Sequence, residues 1–136
     1  MMIVKRTFDH LPKSFRSEEK ALLAKGINNW DSLMNLNTKE MVDLTKSGRT
    51  TLRNLKRLQC IAIFICRLNL LQEEASLLIH SGIASLEALR KLSPQELLIK
   101  TGRLERMLNI GRDPLVTLEK ANNWIRAANQ AKKELT

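Results

Sequence analysis

Apolar residues recur at helical spacing along nearly the whole chain, and they are densest in the middle. Wound at about 100° per residue, the stretch RTTLRNLKRLQCIAIFICRLNLL from Arg49 to Leu71 sets Arg49, Arg53 and Lys56 on one side, with Arg57 beside them and Leu52, Leu55 and Leu58 opposite. From Cys60 to Cys66 charge disappears, and Ile61, Ala62, Ile63, Phe64 and Ile65 cover the whole circumference. Burial on every side is expected there. Upstream, residues 1–14 read as an irregular lead-in limited by Pro12, and Ser14 or Ser17 is available to cap a helix in EEKALLAK. Gly26 stops that helix, and Ile27 is expected as a buried hinge. Asn28 or Asn29 then caps a short helix with Trp30, Leu33 and Met34. Asn37 and Glu40 have the spacing of a capping box, which opens a third helix carrying Met41, Val42 and Leu44 and ending at Lys46-Ser47-Gly48.

The same beat returns later. At a constant offset of 56, ALLAKGINNWDSLMNLNTKEM lies over LLIHSGIASLEALRKLSPQEL, pairing Gly26 with Gly82, Ile27 with Ile83, Leu33 with Leu89, Leu36 with Leu92 and Glu40 with Glu96. Two residues fewer in the later copy then bring Lys46-Ser47-Gly48-Arg49 onto Lys100-Thr101-Gly102-Arg103. Ser93-Pro94-Gln95-Glu96 joins cap, N1 proline and N3 glutamate. A short piece through Leu104, Met107 and Leu108 follows. Asp113-Pro114 should begin a last helix with Leu115, Leu118, Ala121, Ile125 and Ala128 as one apolar stripe. No segment alternates long enough for a strand. The expectation is an all-α chain: a lead-in over 1–14, a first repeat over 15–70, and a second over 71–136, the repeats packing into one compact unit through 60–66 and the last helix.

Charge changes this picture in one half only. The net charge is +9, but residues 1–68 hold 13 Lys and Arg against 6 Asp and Glu, while 69–136 hold 10 against 8. A basic excess of this kind attracts polyanions. Cys60 and Cys66 are too far apart for a CxxC site and read as reduced core residues. With no sustained apolar segment at the N-terminus and a central run far short of the ~20 residues that span a bilayer, a cytoplasmic protein is expected.

The pattern LLxxGIxxxxxLxxLxxxEL, followed by a small-residue and glycine break and another helix, resembles the helix-hairpin-helix (SAM-like) superfamily. Leu22 to Leu58 looks like the C-terminal domain of the RNA polymerase α subunit, whose last helix also starts after a glycine, a basic residue and a hydroxyl residue, here Gly48-Arg49-Thr50. The second half, ending in LVTLEKANNWIRAA, is similar to an uncharacterised bacterial family of tandem helix-hairpin-helix domains. The resemblance implies a phosphate held on backbone N–H groups near a hairpin and the following helix start. The family's phosphate-binding form has glycine on both sides of the hydrophobic residue. Asn28 and Ala84 stand at the later position here, which counts against Gly26 and Gly82.

The candidate site is therefore Lys46, Ser47, Gly48, Arg49, Thr50, Arg53, Lys56 and Arg57, where helix dipole, open N–H groups and side-chain charge coincide. Neither His10 nor His80 has sequence neighbours suited to metal binding or acid-base work, and no nucleophile arrangement or phosphate loop is present. The glutamates at 40 and 96 are explained by capping. Trp30 and Trp124 lie on apolar faces and read as core. The functional expectation is non-enzymatic nucleic-acid binding, DNA favoured over RNA, with no cofactor, metal, small-molecule substrate or membrane. The alternative is an adaptor that docks onto a larger assembly through the second repeat, with Leu86 or Trp124 as anchors if exposed.

Overall fold

The structure, a computed structural model, describes residues 6–9, 11–46, 48–108 and 113–135, the last four of them by backbone alone. Among these lie a 3-10 turn at Lys13–Phe15 and eight α-helices: α1 Arg16–Ala24, α2 Trp30–Met34, α3 Thr38–Thr45, α4 Leu52–Leu68, α5 Gln72–His80, α6 Leu86–Arg90, α7 Pro94–Met107 and α8 Leu118–Leu135. No strand occurs among the described residues, only an isolated bridge between Thr7 and Asn29. The chain is all-α. It divides within α4 into two compact units, one ending at Cys66 and one beginning at Arg67.

In the first unit α1 starts without a side-chain cap. Phe15 holds the cap position, and Ser14 and Ser17 do not cap the helix. Glu18 and Glu19 in the first turn oppose the positive end of the dipole instead. The helix closes as a Schellman motif. Gly26 at φ +78° lets its own N–H reach Leu23 O at 3.0 Å and the Ile27 N–H reach Leu22 O at 2.9 Å. Ile27 itself stays partly exposed, short of the buried hinge expected. Asn29, buried, caps α2 by accepting from Ser32 N–H at 2.8 Å. The Asn37–Glu40 box forms as its spacing predicts, at 2.8 and 3.1 Å. Within α3, Met41 and Leu44 face inward, while Val42 is exposed. Gln59 of α4 donates to the carbonyls of Leu33, Met34 and Leu36 at 3.3, 3.3 and 2.8 Å, satisfying acceptors left open where α2 ends.

Helix α4 departs from expectation in two ways. Its first residue is Leu52, so Arg49 precedes the helix rather than riding on it. Its apolar run is also not buried all round. Ile61, Ala62, Phe64 and Ile65 are buried, but Cys60, Ile63 and Cys66 are only half-buried. Positions 56, 60 and 63 share one helical face with Arg53, and that face stays partly in solvent. Burial nevertheless raises both thiols above the ordinary cysteine value. At Cys66 the nearby Asp31 carboxylate adds to the rise.

The second unit repeats the local geometry at the offset of 56. Gly82 at φ +90° gives the same pair of bonds, to Ile79 O at 3.1 Å and from Ile83 N–H to Leu78 O at 2.9 Å. Ser85 caps α6 by accepting from Ala88 N–H at 3.0 Å. Ser93 and Glu96 close their box at 3.1 Å each way. After Glu96 the two units part. Thr101 and Gly102 are inside α7, not in a break, and Thr101 Oγ1 donates back to Leu97 O at 2.9 Å. The match of Lys100-Thr101-Gly102-Arg103 to the earlier loop is therefore one of sequence and not of structure. Likewise Asp113-Pro114 does not start the last helix. Thr117 does, its hydroxyl accepting from Lys120 N–H at 3.2 Å. The inward face of α8 is Ala121, Trp124 and Ala128, while Leu118 is exposed. Helix α8 packs on α6 and α7, and α7 on α5.

An N-terminal clasp completes the first unit. Phe8 N–H donates to Asn28 O at 3.0 Å, Trp30 N–H donates to Arg6 O at 2.8 Å, and the rings of Phe8 and Trp30 meet edge to face at 4.7 Å. Arg6 N–H donates to Asp31 Oδ2 at 2.9 Å, and this bond lowers the Asp31 carboxyl below its usual 3.8. A carboxylate lowered in this way stabilises the fold fully above that ordinary value and ceases to as pH falls through the lower, folded one. The stability gap between the native chain and Asp31→Asn should therefore close as pH drops below about 4 in chemical denaturation. Gly26→Ala and Gly82→Ala should each cost about 1 kcal/mol in the same measurement, because open space around both glycines leaves only the left-handed backbone to oppose the methyl group.

Candidate functional site

Helix α4 has no acid in its own first turn, and Arg53 adds positive charge where the dipole is already positive. The missing acid comes from α1. Glu18, 1 % exposed, accepts from Thr51 N–H at 2.9 Å through Oε2 and from Asn54 Nδ2 at 3.3 Å through Oε1. One residue earlier in both segments, Thr50 Oγ1 donates to Ser17 O at 3.2 Å. Residues 17 and 18 of α1 thus pair in order with 50 and 51 at the approach to α4. One step further back are Arg16 and Arg49.

This pairing builds a groove of about 630 Å³. Arg16, Lys20, Gly48 and Arg49 line it together with the small Ala21 and Ala24. Arg16 and Lys20 are one turn apart on α1, and both are exposed, as is Arg49. No carboxylate lines the groove, and among the described residues no ion pair engages these three cations. Like charges gathered without a counterion raise the local potential and favour an incoming anion. Gly48, at φ +105° with no atom within 4 Å of where a side chain would begin, keeps the loop side of the groove low.

The residues singled out from the sequence are only partly brought together. Gly48, Arg49 and Thr50 line the groove, Thr50 with little of its surface exposed. Arg53 and Lys56 are exposed on α4. The Arg57 guanidinium sits 5.7 Å from the centre of the Phe15 ring, a cation–π arrangement that turns it toward α1. Lys46 pairs with Asp43 at 3.3 Å, a surface contact of little energetic weight. Ser47 and His10 lie outside the described residues. The expected anion seat on the amides at the start of α4 is partly taken, because Glu18 holds the Thr51 N–H and the Thr51 hydroxyl accepts from Asn54 N–H at 3.2 Å. Arg16, Lys20 and Glu18 are the residues that sequence reading missed. The i, i+4 spacing of Arg16 and Lys20 was the available signal.

The second unit has the same frame and different chemistry. Glu74 stands 56 residues after Glu18. It is buried, accepts from Leu71 N–H at 2.9 Å, and meets Lys120 Nζ at 2.6 Å. Lys120 also donates to Leu115 O at 3.1 Å, so this carboxylate again fixes the first turn of its unit's last helix. The same offset puts Gln72 and Ser76 where Arg16 and Lys20 stand in the first unit. Glu105, also buried, accepts from Leu115 N–H at 3.1 and 3.3 Å. A second concavity of about 600 Å³ in the first unit is lined by Lys25, Ile27, Leu36, Glu40 and Asp43 among others. Its mixed charge favours neither sign of ligand.

Among the described residues no group of three His, Cys, Asp or Glu side chains gathers to hold a metal ion, and no helix is long and apolar enough to cross a membrane. A family model described as a domain of unknown function, DUF4332, matches residues 12–131. No curated protein and no solved structure matches the chain.

Glu18→Ala removes the acid that opposes the α4 dipole and strands the Thr51 N–H. It should lower stability by roughly 2–3 kcal/mol in urea denaturation and speed amide exchange in the first turn of α4. Glu18→Gln, which keeps an acceptor, should lose less.

Proposed function

Because the chain belongs to the DUF4332 family, whose description names no chemistry, its own geometry carries the functional reading, and we propose that it is a non-enzymatic nucleic-acid-binding protein, DNA favoured over RNA. The observation behind this is the groove of Arg16, Lys20, Gly48 and Arg49, with Arg53 and Lys56 exposed on the adjoining helix. Guanidinium and ammonium groups on two neighbouring elements suit a row of phosphates better than one small anion. The contact is made by side chains across the groove rather than by the amides at the start of α4, where Glu18 already supplies negative charge.

The helix-hairpin-helix assignment belongs to the same proposal. It is supported by the two glycine-isoleucine turns with matching bonds at Gly26-Ile27 and Gly82-Ile83, and by a capping box at the second helix start after each turn. In this reading the first unit binds. The second keeps the frame but has Gln72 and Ser76 at the positions of Arg16 and Lys20.

Fluorescence polarisation of a labelled duplex of about 20 base pairs against the full chain, from about 50 to 200 mM salt, tests this. Affinity should fall steeply with salt, and each of Arg16→Ala, Lys20→Ala and Arg49→Ala should weaken it and reduce the salt slope by about 1. Lys91→Ala, removing a cation paired with Glu87 on the second unit, should leave both unchanged. Absence of affinity at low salt, or equal loss from Lys91→Ala, contradicts the proposal.

A further inference from the structure

Helix α7 has two apolar faces, and only one is used within its unit. Leu97, Thr101 and Glu105 are buried on the inner side. On the outer side Ile99 is 53 % and Met107 77 % exposed, and Leu108 at the C-cap is 61 % exposed. Ile99 and Met107 are eight residues apart, about 12 Å along the axis, and roughly 80° apart around it, so both lie on the outer side without being in line. Arg103 lies between them, with Lys100 and Arg106 on either flank, all three exposed. Of the two acids of α7, Glu105 is buried on the Leu115 amide, while Glu96 is exposed on this same side, accepts from the Ser93 N–H at 3.1 Å and has Lys100 as a charge neighbour. The outer face is therefore apolar at two points and, with three cations against the one carboxylate of Glu96, net cationic around them, a combination the fold of this unit does not require.

Three occupants would cover such a face, and charge separates them. A second copy meeting it through the same face would set Arg103 and Arg106 against their own counterparts. A nucleic-acid backbone would satisfy the cations and leave Ile99 and Met107 wet. An amphipathic helix with an acidic border satisfies both sets at once. We propose that the outer face of α7 is a docking site for an acidic amphipathic helix of a partner protein, its apolar residues one and two turns apart covering Ile99 and Met107 and its carboxylates meeting Lys100, Arg103 and Arg106.

The test is selection on the full chain from a display library of random peptides about 16 residues long, some four helical turns. Enriched peptides should be net acidic with apolar residues at i, i+3 or i+4 and i+7. Their affinity should fall about tenfold or more for the double variant Ile99→Asp, Met107→Asp and also for Arg103→Glu, Arg106→Glu, while the melting temperature stays unchanged in both. Arg16→Ala should leave peptide binding intact. The proposal is overturned if the library shows no enrichment, or if enriched peptides lack acidic residues or bind the Ile99, Met107 variant equally well. It is also overturned if sedimentation shows a dimer that the same variant dissociates, which would make a second copy the occupant.

Discussion

A carboxylate with almost no access to water needs donors in fixed positions, and in this chain that need sets the local architecture of the first unit. Glu18 is buried on α1 and accepts from the Thr51 amide and the Asn54 side chain. Isolated, a buried charge is strongly unfavourable. Here it is offset by the positive end of a helix that brings no acid of its own. The same contact decides where α4 begins, which way residues 48–50 approach it, and that Arg49 stands next to Arg16. Glu74 does the corresponding work in the second unit through Lys120.

Frame and surface charge are thereby carried by different residues. Positively twisted glycines, capping boxes and the buried glutamates recur in both units and hold backbone. The residues two before and two after each buried glutamate do not recur: they are Arg16 and Lys20 in one unit and Gln72 and Ser76 in the other. A cation at such a site contributes little to stability, so it is free to differ between copies of one frame. The charge imbalance between the halves of the sequence is the bulk trace of that difference.

Local interactions were legible from the sequence and distant ones were not. Asn37 with Glu40 and Ser93 with Glu96 are three residues apart, and their bonds follow from spacing alone. The turns at Gly26 and Gly82 needed only a glycine after an apolar helix. Thr50, Thr51 and Asn54, by contrast, are fixed by Ser17 and Glu18 more than thirty residues away, and helical periodicity carried α4 back to Arg49 past the one local start signal, the Thr51 hydroxyl that caps the Asn54 N–H. The likeness of Lys100-Thr101-Gly102-Arg103 to the earlier loop misled for a similar reason. Glycine inside a helix is tolerated when packing continues on both sides of it, and Leu97 and Glu105 are buried on either side of Gly102. The run at 60–66 reads as wholly apolar, yet Lys56 and Arg67 at its ends keep one face turned to water.

Backbone amide shifts of the labelled full chain, followed by NMR as a short DNA duplex is added, bear most directly on the link between this buried carboxylate and the proposed polyanion site. The account predicts that the largest changes fall together on residues 16–21 and 48–53, with Gln72 and Ser76 still. Changes centred on the second unit, or spread evenly over all exposed lysines and arginines, would contradict it.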